Sequence, residues 1–154
     1  MERRSTALEG EQGGEAAGTR KRLRVRFNEI DAAGIVFYPR FFDYFHMTFE
    51  DFFLPATGTP YHEWIGERQI GFPAVHIETD FRAPLRYGME LEIALSFPRI
   101  GNSSFVCRYE VTDPATNTLI CTSEVTVVTS DVKKMTPMPI PPQLRQALER
   151  SPGR

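Results

Sequence analysis

The stretch Asp31-Ala-Ala-Gly-Ile-Val-Phe-Tyr-Pro-Arg-Phe-Phe-Asp-Tyr-Phe45 sets a carboxylate in a loop of small residues shortly before a proline and a run of aromatics. Pro39 suits the first turn of a helix, because its missing N–H has no intrahelical partner to lose there. Beyond it Phe42, Phe45, Phe49 and Phe52 recur at three- and four-residue spacing, while Asp43, His46, Glu50 and Asp51 fall on other faces. That period predicts one long helix with an apolar stripe laid against a sheet. Pro55 and Gly58 are its expected stop. A loop acid held near the positive end of a helix has the makings of a site that attacks a carbonyl and holds the resulting oxyanion.

Working outward, the flanking segments alternate with period two. Leu23, Val25 and Phe27 alternate with Arg22, Arg24 and Arg26, predicting a strand over 21–28. Residues 61–68 read as a short, weakly helical connection carrying Trp64, and Gly71-Phe72-Pro73 punctuates before the next strand. There Val75, Ile77, Thr79 and Phe81 are expected to share a buried face, with Pro84 as the stop. Leu91, Ile93, Leu95 and Phe97 form a further strand. Phe105, Cys107, Tyr109 and Val111 lead through Asp113-Pro114-Ala115-Thr116-Asn117 into a last strand ending at Val125, Val127 and Thr129, and these two are expected to form a hairpin. A Pro-rich stretch over 137–142 precedes a short helix over 143–150. An antiparallel sheet with one apolar face must cover it, and the Phe-striped helix is the element long and apolar enough to do so. The expected architecture is α+β, an antiparallel sheet wrapped around one long central helix.

Composition narrows the function classes. The chain has 154 residues, 41% of them hydrophobic, enough for one domain with a real core. Residues 1–19 are Gly, Ala, Glu and Arg without apolar periodicity, so a disordered tail is expected, followed by a single domain over 20–150. A formal net charge of -2 with no basic stripe argues against nucleic acid as a partner. No apolar run approaches the ~20 residues that cross a bilayer, and the opening residues lack the apolar core of a signal peptide, so a cytoplasmic location is expected. Cys107 and Cys121 lack zinc or redox spacing and read as small apolar side chains in a reduced compartment. His62 and His76 are too irregularly placed for a metal site, and no metal or cofactor is expected.

Together, the element order and the 31–45 stretch resemble the hotdog-fold acyl-CoA thioesterases, and the 4-hydroxybenzoyl-CoA thioesterase branch in particular. Further matches are Gly71-Phe72-Pro73, the segment from Phe81 to Gly88, Ser103-Ser104-Phe105 and Pro139-Ile140-Pro141, so the resemblance runs from about Leu23 to Leu148. It implies hydrolysis of a thioester to a free acid and CoA, with an aryl-CoA such as 4-hydroxybenzoyl-CoA as substrate, no cofactor, and a homodimer or homotetramer. A sheet with one helix leaves an edge unpaired, which makes a sheet-continuing dimer physically reasonable as well. The resemblance assigns catalysis to Asp31, as nucleophile or as general base for water, and to the backbone amide of Tyr38, which stands at the helix's amino end where an N–H lacks an intrahelical acceptor.

Around these two residues, Gly34 is expected to supply a positive φ or a close approach for substrate. Phe37, Tyr38, Phe41 and Trp64 are candidate flat walls for a ring. Ser104, Lys133 and Lys134, with Arg99, are candidates for the coenzyme's phosphates, although the Gly101-Asn102-Ser103 turn is less basic than its counterpart in the resembled branch. His46 reads as a surface or interface residue. Asp43, Glu50 and Asp51 read as a solvated helix face, though a second thioesterase branch with this fold places its acid on the helix. Two alternatives stay open: a short-chain acyl-CoA or acyl-carrier-protein thioesterase, and a hotdog protein that binds acyl-CoA without turning it over.

Overall fold

The computed structural model describes residues 19–151. In chain order the elements are β1 (Thr19–Arg24), α1 (Arg40–Thr57), α2 (Tyr61–Gly66), β2 (Ile70–Gly71), β3 (Ala74–Phe81) and β4 (Glu90–Ile100). They continue with β5 (Ser104–Asp113), β6 (Thr118–Val128), β7 (Ser130–Asp131), β8 (Thr136–Pro137) and α3 (Pro142–Glu149). Five strands make one antiparallel sheet in the order β1-β4-β5-β6-β3, and β2, β7 and β8 make a small second sheet. The large sheet wraps around α1. This is the hotdog fold.

Alternation explains the sheet. Leu91, Ile93, Leu95 and Phe97 of β4 and Phe105, Cys107, Tyr109 and Val111 of β5 all point inward and are buried. The β5–β6 hairpin turns through Asp113 to Asn117 as expected, Asn117 taking a φ of 56°. Burial pushes the thiol pKa of both inward cysteines up, that of Cys121 to about 12, so they act as apolar filling.

The helix buries more than a single stripe. Phe41, Tyr44, Phe45, Thr48, Phe49, Phe52 and Phe53 are all buried, two residues at most turns, whereas Phe42 is only half-buried. A curled sheet contacts a wider helix face than a flat one, so Phe41 and Phe53 join the core beside the expected residues. Thr48 is accommodated because its hydroxyl donates to the Tyr44 carbonyl at 2.9 Å. Pro55 does not end the helix. It sits on the exposed side of the last turn, and the chain leaves the helix at Gly58, whose φ of 76° places it in the left-handed region that glycine tolerates.

Three more expectations are corrected. The first strand ends at Arg24, four residues early, because Val25 donates its amide to Met89 and the chain then tightens into a turn of 3-10 helix at Phe27–Glu29. Thr19, expected to close the tail, instead opens β1. The rest of the expected tail lies outside the described residues. Finally, β3 does not bury an apolar face: Val75, Ile77 and Phe81 are 60%, 46% and 48% exposed. The reason is topological. The strand passes over to the free side of β6, where one sheet edge stands open.

Candidate active site

The site begins with Glu29, in the turn that follows β1. One of its carboxylate oxygens, Oε2, accepts the Arg26 amide at 2.8 Å and the Tyr44 hydroxyl at 2.7 Å, and its carbonyl accepts the Phe37 amide at 2.9 Å. Burial, reinforced by the Glu29 bond and charge, raises the Tyr44 hydroxyl above its usual pKa, so it remains a donor. Glu29 therefore ties the first turns of α1 to both ends of the loop between residues 30 and 36.

Within that loop Asp31 closes a tight turn on itself. Its amide donates to Ile35 (2.9 Å), its carbonyl accepts from Gly34 (3.0 Å), and its Oδ1 accepts from Ala33 (2.8 Å). The other carboxylate oxygen takes no hydrogen bond and no cation among the described residues, and the side chain is exposed. Gly34 has a φ of 79°, and a Cβ there would meet nothing within 4 Å. Glycine is thus required by the backbone conformation and not by crowding. The loop is fastened to the neighbouring segment by the Val36 amide donating to Leu85 at 2.8 Å and by a bridge between Ile35 and Arg86.

At the helix entrance, Arg40, Phe41 and Phe42 donate their amides to Phe37, Tyr38 and Pro39. Phe37 donates to Glu29, and Pro39 has no N–H. The Tyr38 amide has no acceptor among the described residues, and it stands at the positive end of an 18-residue helix. Its ring, 61% exposed, meets that of Phe37 edge to face at 5.4 Å. An apolar cleft of about 320 Å³ opens beside it, walled by Tyr38, Phe41, Phe81, Ala83 and Leu85. A second apolar cavity of about 190 Å³ lies further along α1, between Phe45, Phe49, Phe72, Ile77 and Tyr109, with His46 at its rim. A larger groove, about 390 Å³, lies on the polar outer face of the sheet among Glu78, Asp80, Glu110 and the Arg108–Glu124 pair, away from these groups.

The fold thus brings together Asp31, Gly34, Phe37 and Tyr38, and leaves the other candidates elsewhere. Trp64 is a correction. It is fully buried, donates from Nε1 to Thr59 at 3.3 Å, and lies under the Arg68 guanidinium at 4.3 Å, so it is a core residue near the far end of α1 and walls neither apolar cavity. Ser104 belongs to the turn that α3 holds against that same far end: Arg145 caps Gly101, and Gln143 reaches Thr57. Lys133 and Lys134 sit in the β7–β8 turn, their amides bound to Asp131 at 2.9 Å each. Ser104 therefore lies toward the far end of α1, away from its amino end at Tyr38. Of the helix acids, Asp43 pairs with Arg40, Asp51 with Lys21 and Glu50 with His46, all on the exposed face. Among the described residues no three His, Cys, Asp or Glu side chains stand close enough to hold a metal.

Sequence reasoning missed Glu29 and Tyr44. The usable signal was Tyr44 itself: it shares the buried stripe with Phe41 and Phe45, and a buried tyrosine hydroxyl needs a partner.

A hotdog sheet whose helix opens next to an acid-bearing loop defines a class of protein, and the chain's relatives agree with it. Residues 25–148 match the thioesterase-like superfamily, and the chain belongs to that family. A 1,4-dihydroxy-2-naphthoyl-CoA hydrolase from Nostoc punctiforme is 34% identical over 88 residues, covering 57% of this chain and 59% of that protein. The chain spans about three-fifths of the length of the curated relatives it matches. Among solved structures, a gentisyl-coenzyme A thioesterase superposes with a TM-score of 0.73 at 30% identity, covering 82% of this chain and 98% of that one. A mutant 4-hydroxybenzoyl-CoA thioesterase complexed with 4-hydroxybenzoyl-CoA gives a TM-score of 0.78 at 23% identity, covering 86% and 99%, and agrees in fold. No helix among the described residues is long and apolar enough to cross a membrane.

Proposed function

We propose that this protein is an acyl-CoA thioesterase acting on aryl-CoA thioesters, with a 1,4-dihydroxy-2-naphthoyl-CoA-like substrate favoured over 4-hydroxybenzoyl-CoA. The carrying observation is the pairing of an Asp31 carboxylate that has an unengaged oxygen with a Tyr38 amide that has no acceptor, at the positive end of α1. The thioester carbonyl oxygen accepts from the Tyr38 N–H, which, with the helix dipole, stabilises the negative charge that develops there. Asp31 then acts on the polarised carbon in one of two ways. As nucleophile it forms a mixed anhydride and expels the CoA thiolate, and water later hydrolyses the anhydride. As general base it takes a proton from the attacking water. Either route gives a free acid and CoA.

Choice of substrate rests on two supports: the names of the relatives, and the flat walls that Tyr38, Phe41 and Phe81 present to the cleft. One better-fitting apolar group is worth only ~1–3 kcal/mol, so the expected outcome is preference and not exclusivity. Free-thiol release from 1,4-dihydroxy-2-naphthoyl-, gentisyl-, 4-hydroxybenzoyl-, benzoyl- and palmitoyl-CoA tests it. A lead for palmitoyl-CoA in kcat/KM contradicts the aryl assignment, and no thiol release from any of them contradicts the activity.

The same reading includes a homodimer through the β3 edge, with assembly of dimers into a tetramer as the family resemblance implies. The open edge with Val75, Ile77 and Phe81 exposed is what such a dimer covers. Two copies of β3 paired antiparallel about a two-fold axis put the start of one strand against the end of the other. The partner's Pro73, just ahead of its β3, then faces the Asp31 end of this protomer and helps close the cleft.

A further inference from the structure

We propose that the two-fold axis of the β3 dimer passes through Ile77, so that His76 of each protomer pairs with the partner's Glu78 across the seam. This rests on the β3-edge dimer proposed above and adds to it a register and a dependence on pH. Ile77 lines the apolar cavity beside α1, whereas Glu78 and Asp80 line the polar groove on the outer face of the sheet. His76 Nε2 stands 3.5 Å from Glu78 Oε1, on that same outer face. The open edge therefore carries an imidazole and two carboxylates on one side and an isoleucine on the other, all exposed.

Symmetry limits how two such strands can meet. Opposite residues of an antiparallel pair point to the same face of the sheet, and successive residues along a strand point to opposite faces. A two-fold axis perpendicular to the sheet therefore runs through a residue that faces its own copy, never between two residues. The middle of Ala74–Phe81 falls between Ile77 and Glu78, so two registers keep nearly the whole strand paired. With Glu78 on the axis, two glutamates lie directly opposite each other, which is destabilising. With Ile77 on the axis, isoleucine meets isoleucine on the apolar face, and His76 meets the partner's Glu78 twice on the outer face. No like charges are then directly opposed. Phe81, a wall of the cleft beside Tyr38, comes opposite the start of the partner strand, in keeping with the partner's Pro73 closing that cleft.

This register builds a square of two imidazoles and two carboxylates, each carboxylate between the imidazole of its own strand and that of the other. On β6, Thr126 lies opposite His76 and Glu124 opposite Glu78, and Glu124 is engaged by Arg99 and Arg108. Asp80 on β3 and Glu110 on β5 are the further charges along the groove, and both are acidic. These surroundings favour protonated imidazoles. Histidine changes its charge between pH 8 and pH 5, so acidification takes the square from two negative charges to neutral and tightens the dimer. One exposed ion pair is worth up to about fivefold in an equilibrium constant, and two symmetric pairs of ordinary strength together give about that much.

The test uses the full-length protein. Ile77→Cys, Glu78→Cys and Thr79→Cys are each treated with a mild oxidant and scored for reducible dimer, against a low background because Cys107 and Cys121 are buried. Ile77→Cys is expected to cross-link at least about tenfold faster than the others, since only directly opposed positions come within reach of a disulfide. Dissociation constants from sedimentation should be about fivefold tighter at pH 6 than at pH 8, and His76→Gln should remove that difference. The exchange His76→Glu/Glu78→His should dimerise within about threefold of the parent, whereas His76→Glu alone should be weakened at least about fivefold, because it sets like charges opposite each other. A leading cross-link at Glu78→Cys, or none in a protein that sediments as a dimer, overturns the register but leaves the dimer standing. A pH dependence that is absent, or that survives in His76→Gln, overturns the pairing. A monomeric parent removes the β3 dimer and this seam together, and thiol release from aryl-CoA reports separately on the thioesterase reading.

Discussion

Changing Tyr44 to Phe tests whether the helix holds the catalytic loop in place through Glu29. The ring is 1% exposed and packs on Phe41 and against the sheet, so phenylalanine keeps the packing and removes only the hydroxyl. What is lost is one 2.7 Å hydrogen bond to a carboxylate. Bonds to charged groups contribute ~1.5–3 kcal/mol, and the lower end applies here because Glu29 is only half-buried and keeps its bond from the Arg26 amide. A loss of about 1.5 kcal/mol lowers Tm by roughly 5 °C in a domain of this size. Catalysis should suffer more than stability implies. A misplacement of about 1 Å can cost ~100-fold, so partial loosening of the loop predicts a fall of roughly tenfold in kcat with a smaller change in KM. Thermal unfolding and steady-state kinetics of Tyr44→Phe, Glu29→Gln and the double variant measure the coupling directly. Additive losses, with no coupling between the two positions, refute the reasoning, as does a Tyr44→Phe enzyme with parental kcat.

Three further outcomes follow from the same structure. Trp64→Ala should cost about 3–5 kcal/mol as a core cavity while leaving KM for aryl-CoA nearly unchanged, and a KM effect without loss of stability would restore it as a substrate wall. Ile77→Arg, placed in the middle of the open β3 edge, should shift the protein to monomer by sedimentation and abolish most activity, and an active monomer contradicts the shared cleft. Arginine bonds hold Glu92 (Arg22 foremost, then Arg20) and Glu124 (Arg99, then Arg108) below the ordinary 4.5. Stability from depressed carboxylates is present above the unfolded value and lost as pH falls through the folded one, so Tm should be flat from neutral pH to about 5 and drop below about 4.5. Arg108→Ala should shrink that drop.

Alternation along β4, β5 and β6 and the aromatic spacing of α1 were legible because each pattern is local and one face of each element is buried. The fate of β3 was not. Val75, Ile77 and Phe81 alternate as well as any inner strand, but whether such a face is covered depends on where the strand joins the sheet, and that is a non-local choice. Trp64 misled for a related reason: an aromatic ring in a weakly helical connection carries no mark distinguishing a ligand wall from core, and only the packing of Phe53 and Phe72 against it decides. Asp31, Gly34 and Tyr38 were legible as a group because a contiguous loop and helix start place them together. Ser104, Lys133 and Lys134 come from distant turns, and their position relative to that loop follows from the whole topology.

The most direct test of the central claim is turnover of 1,4-dihydroxy-2-naphthoyl-CoA by the parent and by Asp31→Asn, measured as free-thiol release beside the Tm of each. Asp31 is exposed, and asparagine keeps an oxygen that can accept the Ala33 amide, so the variant should fold with a nearly unchanged Tm. Turnover should fall at least ~100-fold, since the attacking or proton-accepting group is gone. A folded Asp31→Asn enzyme that releases thiol at close to the parental rate would contradict the account.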